Sequence, residues 1–293
     1  MTFALIGPGA IGATVAALIH SAGHDVVVCG RTPRGDIEVR PDDGEPMTLP
    51  GPVHTDPTDV DGPVDVVLLA VKDTQNADAA AWLAGLCGEG TVVLALQNGV
   101  EQIERVGGLC PDATVVPAVV WFSAETRADG WVRLRTPVRL VLPDVPAART
   151  LAEQLDGPRL SIGVDPDFAA AAWHKLLVNA VGALMVLTGR KSGVFRRDDV
   201  AALGRAYLTE CLSVARAEGA NLADSVVDET VALFTGVPED LTTSILTDRE
   251  HGRKLEWDIR NGVIRRKARE HGIATPISDV LVPLLAAASD GPG

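Results

Sequence analysis

Short apolar runs recur along the first 165 residues, separated by helical-looking stretches or polar loops. The run 3–7 comes first, an Ala-rich stretch over 11–22 follows with Gly23 as its stop, and 25–29 is apolar again. The segments 64–71 (VDVVLLAV) and 91–96 (TVVLAL) are rich in β-branched residues and continuous rather than alternating. Strands read that way when helices cover both of their faces. Between them, 76–87 has the composition of a helix. Strand and helix in alternation predict a doubly wound α/β fold of Rossmann type. Segment 36–63 is rich in Pro, Gly and Asp and reads as short strands and loops, and 131–142 reads as exposed edge strands.

Past Asp165-Pro166 the pattern changes. Residues 167–188 read as one long helix. Asp198-Asp199 caps another, with Val200, Leu203, Tyr207, Leu208, Cys211 and Val214 along one face and Gly219 as its stop. Further helices are predicted over 224–235, 250–270 and 277–288, with Gly272 and Pro276 punctuating the last gap. The expected organisation is a Rossmann-type domain over 1–165 followed by an all-helical domain over 166–293.

Composition narrows the class. Of 293 residues, 46% are hydrophobic and 22% charged, the balance of a globular protein with a sizeable core. The formal charge of −13, from 39 acids against 26 Lys and Arg, would repel a phosphate backbone. Five Trp, five Phe and one Tyr leave few platforms for stacking bases, so nucleic acid is not an expected partner. The uncharged stretch 176–189 is too short for a membrane span and no basic segment precedes the apolar start, so no membrane partner and a cytoplasmic location are expected. Cys29, Cys87, Cys110 and Cys211 form no C-x-x-C pair, which argues against a disulfide framework or a zinc site, and no metal is expected.

Candidate chemistry begins at Gly7-Pro8-Gly9-Ala10-Ile11-Gly12, a G-x-G-x-x-G directly after the first strand and at the mouth of the first helix. Gly7 allows the tight turn, Gly9 admits a pyrophosphate close to the backbone, and Gly12 lets helix pack on strand. The helix N-terminus offers amides and a positive dipole end to the phosphates. After the second strand, where an acidic residue would bind the ribose of NAD, this chain has Arg31, with Arg34 close behind. A guanidinium suits a 2′-phosphate, so the expected cofactor is NADP(H).

Lys72 ends the third apolar run and Gln97-Asn98-Gly99 the fourth, on the side of a parallel sheet where ligands bind. They fit equally a strand-end lysine and a plain turn. Lys175 and Asn179 lie four apart on the predicted long helix and so share a face. A lysine in a desolvated setting becomes a proton donor near neutral pH, whereas a lysine at the helix edge would snorkel to water. His174 points elsewhere and reads as structural. Ser244, Asp248, Gly252 and Glu256 recur every four residues. If the chain is helical throughout, they form a polar stripe in which Gly252 permits a close approach, and such a stripe can bind a small polar molecule or simply face solvent.

The ordered set GPGAIG, Arg31, Lys72, QNG at 97–99, W-x-K-x-x-x-N at 173–179, S-x-x-x-D at 244–248, E-x-x-x-x-N-G at 256–262 and H-G-I-x-x-P at 271–276 resembles the ketopantoate reductase family over nearly the whole chain. The resemblance implies NADPH-dependent reduction of a 2-oxo acid to its 2-hydroxy acid, with 2-dehydropantoate as first-choice substrate. It implies Lys175 as general acid and Glu256 as acceptor of the substrate hydroxyl. Asn98, Asn179 and Ser244 would bind substrate. Gly7, Gly9, Ala10, Ile11, Gly12, Arg31, Lys72, Asn98 and Glu256 would contact the cofactor. A helical second domain makes a homodimer an expected assembly.

The chain departs from that family in one respect. The family carries a further asparagine four residues beyond the Asn179 position, where this chain reads Ala180-Val181-Gly182-Ala183-Leu184, and an Asn-Gly pair where it reads Ser192-Gly193. Lost hydrogen bonds of this kind cost about 1–3 kcal/mol each in a buried site. Two alternatives to 2-dehydropantoate reduction therefore stay open: reduction of a different 2-oxo acid or ketone, and a non-catalytic NADP-binding sensor.

Overall fold

The computed structural model describes residues 1–291; Pro292 and Gly293 of the final Gly-Pro-Gly lie outside the described residues. The chain divides into two compact units, Met1–Phe168 and the residues from Ala169 onward.

The first unit is built on a six-stranded sheet whose paired strands are all parallel: Phe3–Ile6, Val26–Cys29, Val53–His54, Val66–Leu69, Val92–Ala95 and Thr114–Pro117. Numbered in chain order these strands run 3-2-1-4-5-6, the doubly wound arrangement the alternating pattern predicts. The continuous apolar runs have a direct cause. Phe3, Leu5, Leu68 and Leu94 enter one core with the helix Ala10–Ser21, while Ala4, Ile6, Leu69 and Val93 enter another with Trp82, Leu83 and Leu86 of the helix Asn76–Leu86. With both faces covered, no position in these strands is left for a polar residue.

Two smaller sheets complete the unit, and here one expectation is corrected. Val132–Leu134 lies between Ala124–Thr126 and Ile37–Pro41, and Val138–Pro143 lies between Leu160–Asp165 and Val119–Trp121. Both are interior strands, not exposed edges. The arginines that suggested exposure, Arg133 and Arg139, alternate with fully buried Val132, Leu140 and Leu142, so only one face of each strand is wet.

The second unit is helical. Its first segment, Phe168–Thr188, is long and apolar enough by length and composition to cross a membrane, yet most of it is buried inside the protein. It is a core helix, and it is interrupted: Phe168–Val181 and Ala183–Thr188 meet at Gly182. The helix Asp198–Ala217 buries Ala201, Gly204, Tyr207, Leu208 and Cys211, so the apolar face runs through Gly204 and leaves Leu203 exposed. Helices Ser225–Thr235 and Pro276–Asp290 match their predicted spans closely. The predicted helix over 250–270 does not exist as such. Ser244–Glu250 is a separate helix, the chain is irregular to Glu256, and a π-helical turn, Asp258–Gly262, leads into Val263–Glu270. Gly252, at φ +62°, is the reason: it ends the first helix, and Arg253 N–H closes onto the Asp248 carbonyl at 2.9 Å.

One helix start is satisfied from another element. Pro276 occupies the first turn of Pro276–Asp290, and the Glu210 carboxylate accepts from Ile277 N at 2.8 Å and Ser278 N at 2.9 Å, as well as from the Ser278 hydroxyl. Glu210→Ala strips these donors of their partner. Its expected effect is a loss of about 1–3 kcal/mol of stability, read as a lower urea midpoint by circular dichroism. A midpoint equal to that of the unchanged protein would show the helix start to be satisfied by water instead.

Candidate active site

The predicted site residues fall into two groups, one in each unit. In the first unit the sheet order reverses between Phe3–Ile6 and Val66–Leu69, and the loops that follow these strands hold the glycine motif and Lys72. Gly7 has φ +96°, and a Cβ there would stand 2.7 Å from Val71 N. A Cβ on Gly12 would meet Gly7 O at 2.5 Å and Ala70 Cβ at 2.7 Å. These two glycines are required by the protein's own packing. Gly9 is different: it is exposed, and a Cβ there would meet nothing within 4 Å. It precedes the helix Ala10–Ser21, which has neither a side-chain cap nor an acidic residue in its first turn. The first turn of Ala10, Ile11 and Gly12 thus presents an open, uncompensated positive helix end, which fits a dinucleotide pyrophosphate.

Arg31 follows Gly30, whose Cα packs so closely on Pro8 that a Cβ would lie 2.9 Å from the proline ring. That contact seats Arg31 beside the glycine loop. It makes a loose ion pair, 3.8 Å to Asp78, with both side chains well exposed; such a pair contributes little and is readily exchanged. Arg34 is engaged by the Gly130 carbonyl. Lys72 is partly buried, with its backbone N–H 3.3 Å from Gln75 Oε1.

The loop bearing Asn98 is braced by residues whose roles sequence reasoning did not assign. Buried Gln97 donates to Val71 O at 2.9 Å and Asn76 Oδ1 at 2.6 Å, tying two strand ends together. Gln102 donates to Gln97 O at 3.0 Å and Gly99 O at 2.9 Å, and Gly99 takes φ +102°. The turn that these amides hold presents a partly buried Asn98. Flanking glutamines within reach of a strand end were the available signal.

In the second unit, Lys175 and Asn179 lie one turn apart on Phe168–Val181, both partly buried. Burial, and then the positive charge of Arg260, bring the Lys175 ammonium down to about 8. Burial likewise lowers His174, which lies within electrostatic reach of Glu229. Ser244 opens the helix Ser244–Glu250, which Thr243 caps by accepting from Leu246 N at 3.4 Å.

The polar stripe expected over 244–256 is not on one helix face, because Gly252 breaks the helix; a Cβ there would meet nothing within 4 Å, so the glycine serves as a stop and makes no close approach. Asp248 is buried and paired with Arg253 at 3.2 Å. Ser244 and Glu256 are instead joined by a residue that sequence reasoning missed. Arg260 Nη2 donates to Ser244 Oγ at 3.0 Å and to Glu256 Oε2 at 3.1 Å, with Arg260 2% and Glu256 5% exposed. The Glu-x-x-x-Arg spacing, which places two opposite charges one helical turn apart, was the signal that could have found it.

Asn261, beside it on the π turn, faces the core. It donates to Ala180 O at 3.0 Å and Tyr207 OH at 2.9 Å, anchoring the end of the helix that carries Lys175. The two family-departure positions supply no replacement amide. Ala183 is wholly buried, and Ser192 is spent on the loop Pro238–Leu241, with Oγ 2.6 Å from Pro238 O and N 3.0 Å from Leu241 O.

The second unit thus holds a partly buried lysine of lowered pKa and, joined by one guanidinium, a hydroxyl and a carboxylate. The titration itself is directly measurable. In 15N-detected spectra of lysine ammonium groups, one resonance is expected to titrate near pH 8 and to vanish in Lys175→Ala. If every lysine titrates above pH 10, Lys175 is a solvated surface group.

Comparison with known proteins agrees over the full length. Residues 3–147 match the family described as ketopantoate reductase PanE/ApbA, and residues 167–289 match its C-terminal part. A 2-dehydropantoate 2-reductase from Mycobacterium tuberculosis is 62% identical, with 99% of this chain and 98% of the relative covered. Another from Caulobacter vibrioides is 38% identical over 98% of this chain and 99% of that one. Among solved structures, a dimeric ketopantoate reductase from Staphylococcus aureus superposes with a TM-score of 0.89 at 28% identity, covering 100% of both chains.

Proposed function

The chain belongs to the ketopantoate reductase family, and we propose that it reduces 2-dehydropantoate to pantoate with NADPH as the hydride donor and Lys175 as the general acid. The observation that carries this reading is the ammonium of Lys175, brought to about 8 by burial and by Arg260. At pH 7 a group with that pKa is still about nine-tenths protonated, yet it is a far stronger acid than an ordinary lysine. When bound, the reduced nicotinamide supplies the hydride.

The chain's own residues supply the rest. The open helix end beyond Gly9 holds the pyrophosphate, and Arg31 binds the 2′-phosphate. Lys175 meets the charge that grows on the substrate carbonyl oxygen and passes its proton there, so its stabilisation is greatest in the transition state. Asn98, Asn179 and Lys72 orient substrate and cofactor. Ser244 Oγ accepts from Arg260, which directs its own O–H outward to donate to the substrate carboxylate. Glu256 accepts from the substrate hydroxyl. Counting Lys175, Arg260 and Glu256 as charged leaves one positive charge in excess, which suits an anionic 2-oxo acid better than a neutral ketone.

The functional assembly on this reading is a homodimer. The dimeric Staphylococcus aureus relative supports it, as do Val280 and Leu284, exposed one turn apart on Pro276–Asp290.

Following NADPH oxidation with 2-dehydropantoate tests the reaction and the acid together. Turnover is expected in the unchanged protein, falling as pH rises through about 8 because Lys175 then loses the proton it must give. Lys175→Ala is expected to lower kcat by about 10²–10⁴-fold while still binding NADPH by fluorescence. Arg31→Glu should weaken NADPH binding by roughly 10–100-fold and leave NADH almost unaffected. A protein that turns over on another 2-oxo acid but not on 2-dehydropantoate would sink the substrate assignment and keep the chemistry.

A further inference from the structure

Arg260 is 2% exposed. A guanidinium that deep is costly unless its charge and donors are used. One nitrogen, Nη2, spans two segments that the turn at Gly252 separates, reaching Ser244 Oγ at 3.0 Å and Glu256 Oε2 at 3.1 Å. Its Nε is buried with no hydrogen-bond partner among the described residues, so the side chain is not placed for maximal pairing. Its place is set by the backbone: it sits on the π turn Asp258–Gly262, whose next residue, Asn261, is locked to Ala180 O and Tyr207 OH. A π turn displaces side chains from the regular helical register, and such turns gather at functional sites.

We propose that Arg260 is the positioning residue of this site: its one guanidinium fixes Ser244 and Glu256 relative to each other. The inference rests on the reductase reading above and adds to it a residue that touches neither reacting atom.

Acidic groups elsewhere in its unit have partners of their own. Asp248 on Ser244–Glu250 is paired with Arg253, Asp258 on the π turn with Arg266, and Asp279 on Pro276–Asp290 with Arg265. Glu229 on Ser225–Thr235 acts on His174. Glu256 is a carboxylate paired with the guanidinium, and Lys175 is an ammonium that feels its charge. The sign of the effect follows. Removing the Arg260 charge takes a cation away from Lys175 and leaves Glu256 uncompensated. Both changes make the ammonium harder to deprotonate, so the fall of kcat with rising pH moves to higher pH.

The test compares the unchanged enzyme with Arg260→Met and Arg260→Lys, using pH profiles of kcat, KM for 2-dehydropantoate, NADPH binding by fluorescence and thermal melting. For Arg260→Met the expected result is a KM raised about 10–100-fold and a basic limb displaced upward by about one pH unit. Arg260→Lys keeps the charge but not the span, so its limb should coincide with the unchanged enzyme's while KM still rises several-fold. A merely structural arginine would lower melting temperature and kcat at every pH without moving the limb, and that result overturns the proposal. Should Arg260→Met not fold, Arg260→Gln removes the charge while keeping an amide donor, and an unmoved limb in it overturns the proposal equally. If the unchanged enzyme does not reduce 2-dehydropantoate, the functional reading fails by itself. The 15N titration of Lys175 in Arg260→Gln then still decides whether Arg260 governs the acid: a midpoint raised above that of the unchanged protein supports it, and an equal midpoint overturns it.

Discussion

The helical unit is organised around a charge that cannot reach water. Arg260 and Glu256, 3.1 Å apart and 2% and 5% exposed, would each carry a heavy desolvation cost alone. Together they hold the segment after Gly252 against the start of the helix Ser244–Glu250. The neighbouring Asn261 joins the same π turn to the end of the Lys175 helix and to Tyr207. Stretches of chain around residues 180, 207, 244 and 256–261 are thereby joined by two adjacent side chains. The helix that carries Lys175 and the pair Ser244 and Glu256 consequently share one anchor.

The first unit depends on a constraint of a different kind, the closeness of backbone to backbone. At Gly7 and Gly12 any side chain would stand within 2.7 Å of neighbouring backbone or side-chain atoms, and this crowding brings the first helix down onto the sheet. Gly9 is left with open space on its Cβ side. Three glycines that look alike in a motif thus do separate work. Two let the fold close, and the third leaves open space beside the backbone, as the proposed pyrophosphate site requires.

Much of this was legible in the chain. The two-sided burial of Phe3–Ile6 and Val66–Leu69 writes itself as unbroken apolar runs, so the parallel sheet could be read directly. Lys175 and Asn179 could be placed on one face from spacing alone, because a helix interior is regular. What could not be read lies where regularity ends. The spacing of Ser244, Asp248, Gly252 and Glu256 mimics a helical stripe, but a glycine at φ +62° converts the third member into a terminus. The π turn then places Arg260 where its guanidinium reaches both flanking partners, a register that no 3.6-residue period predicts. Likewise Val132–Leu134 and Val138–Pro143 were read as edges from their arginines, since composition does not reveal which strands will pair on both sides.

The pairing of Glu256 with Arg260 also decides what kind of acid Lys175 can be. A carboxylate left unneutralised near a lysine stabilises the ammonium and makes it a weaker donor. Here that carboxylate is paired with the guanidinium, whose positive charge acts in the same direction as burial, and Lys175 is brought to about 8. An acid so adjusted gives its proton readily to an oxygen gaining charge, yet recovers it from water at neutral pH. Before the proton leaves, the ammonium, guanidinium and carboxylate together carry one positive charge, which on the proposed reading favours a substrate that carries its own carboxylate. On the proposed reading, acid strength and preference for an anionic 2-oxo acid follow from the same small group of buried charges.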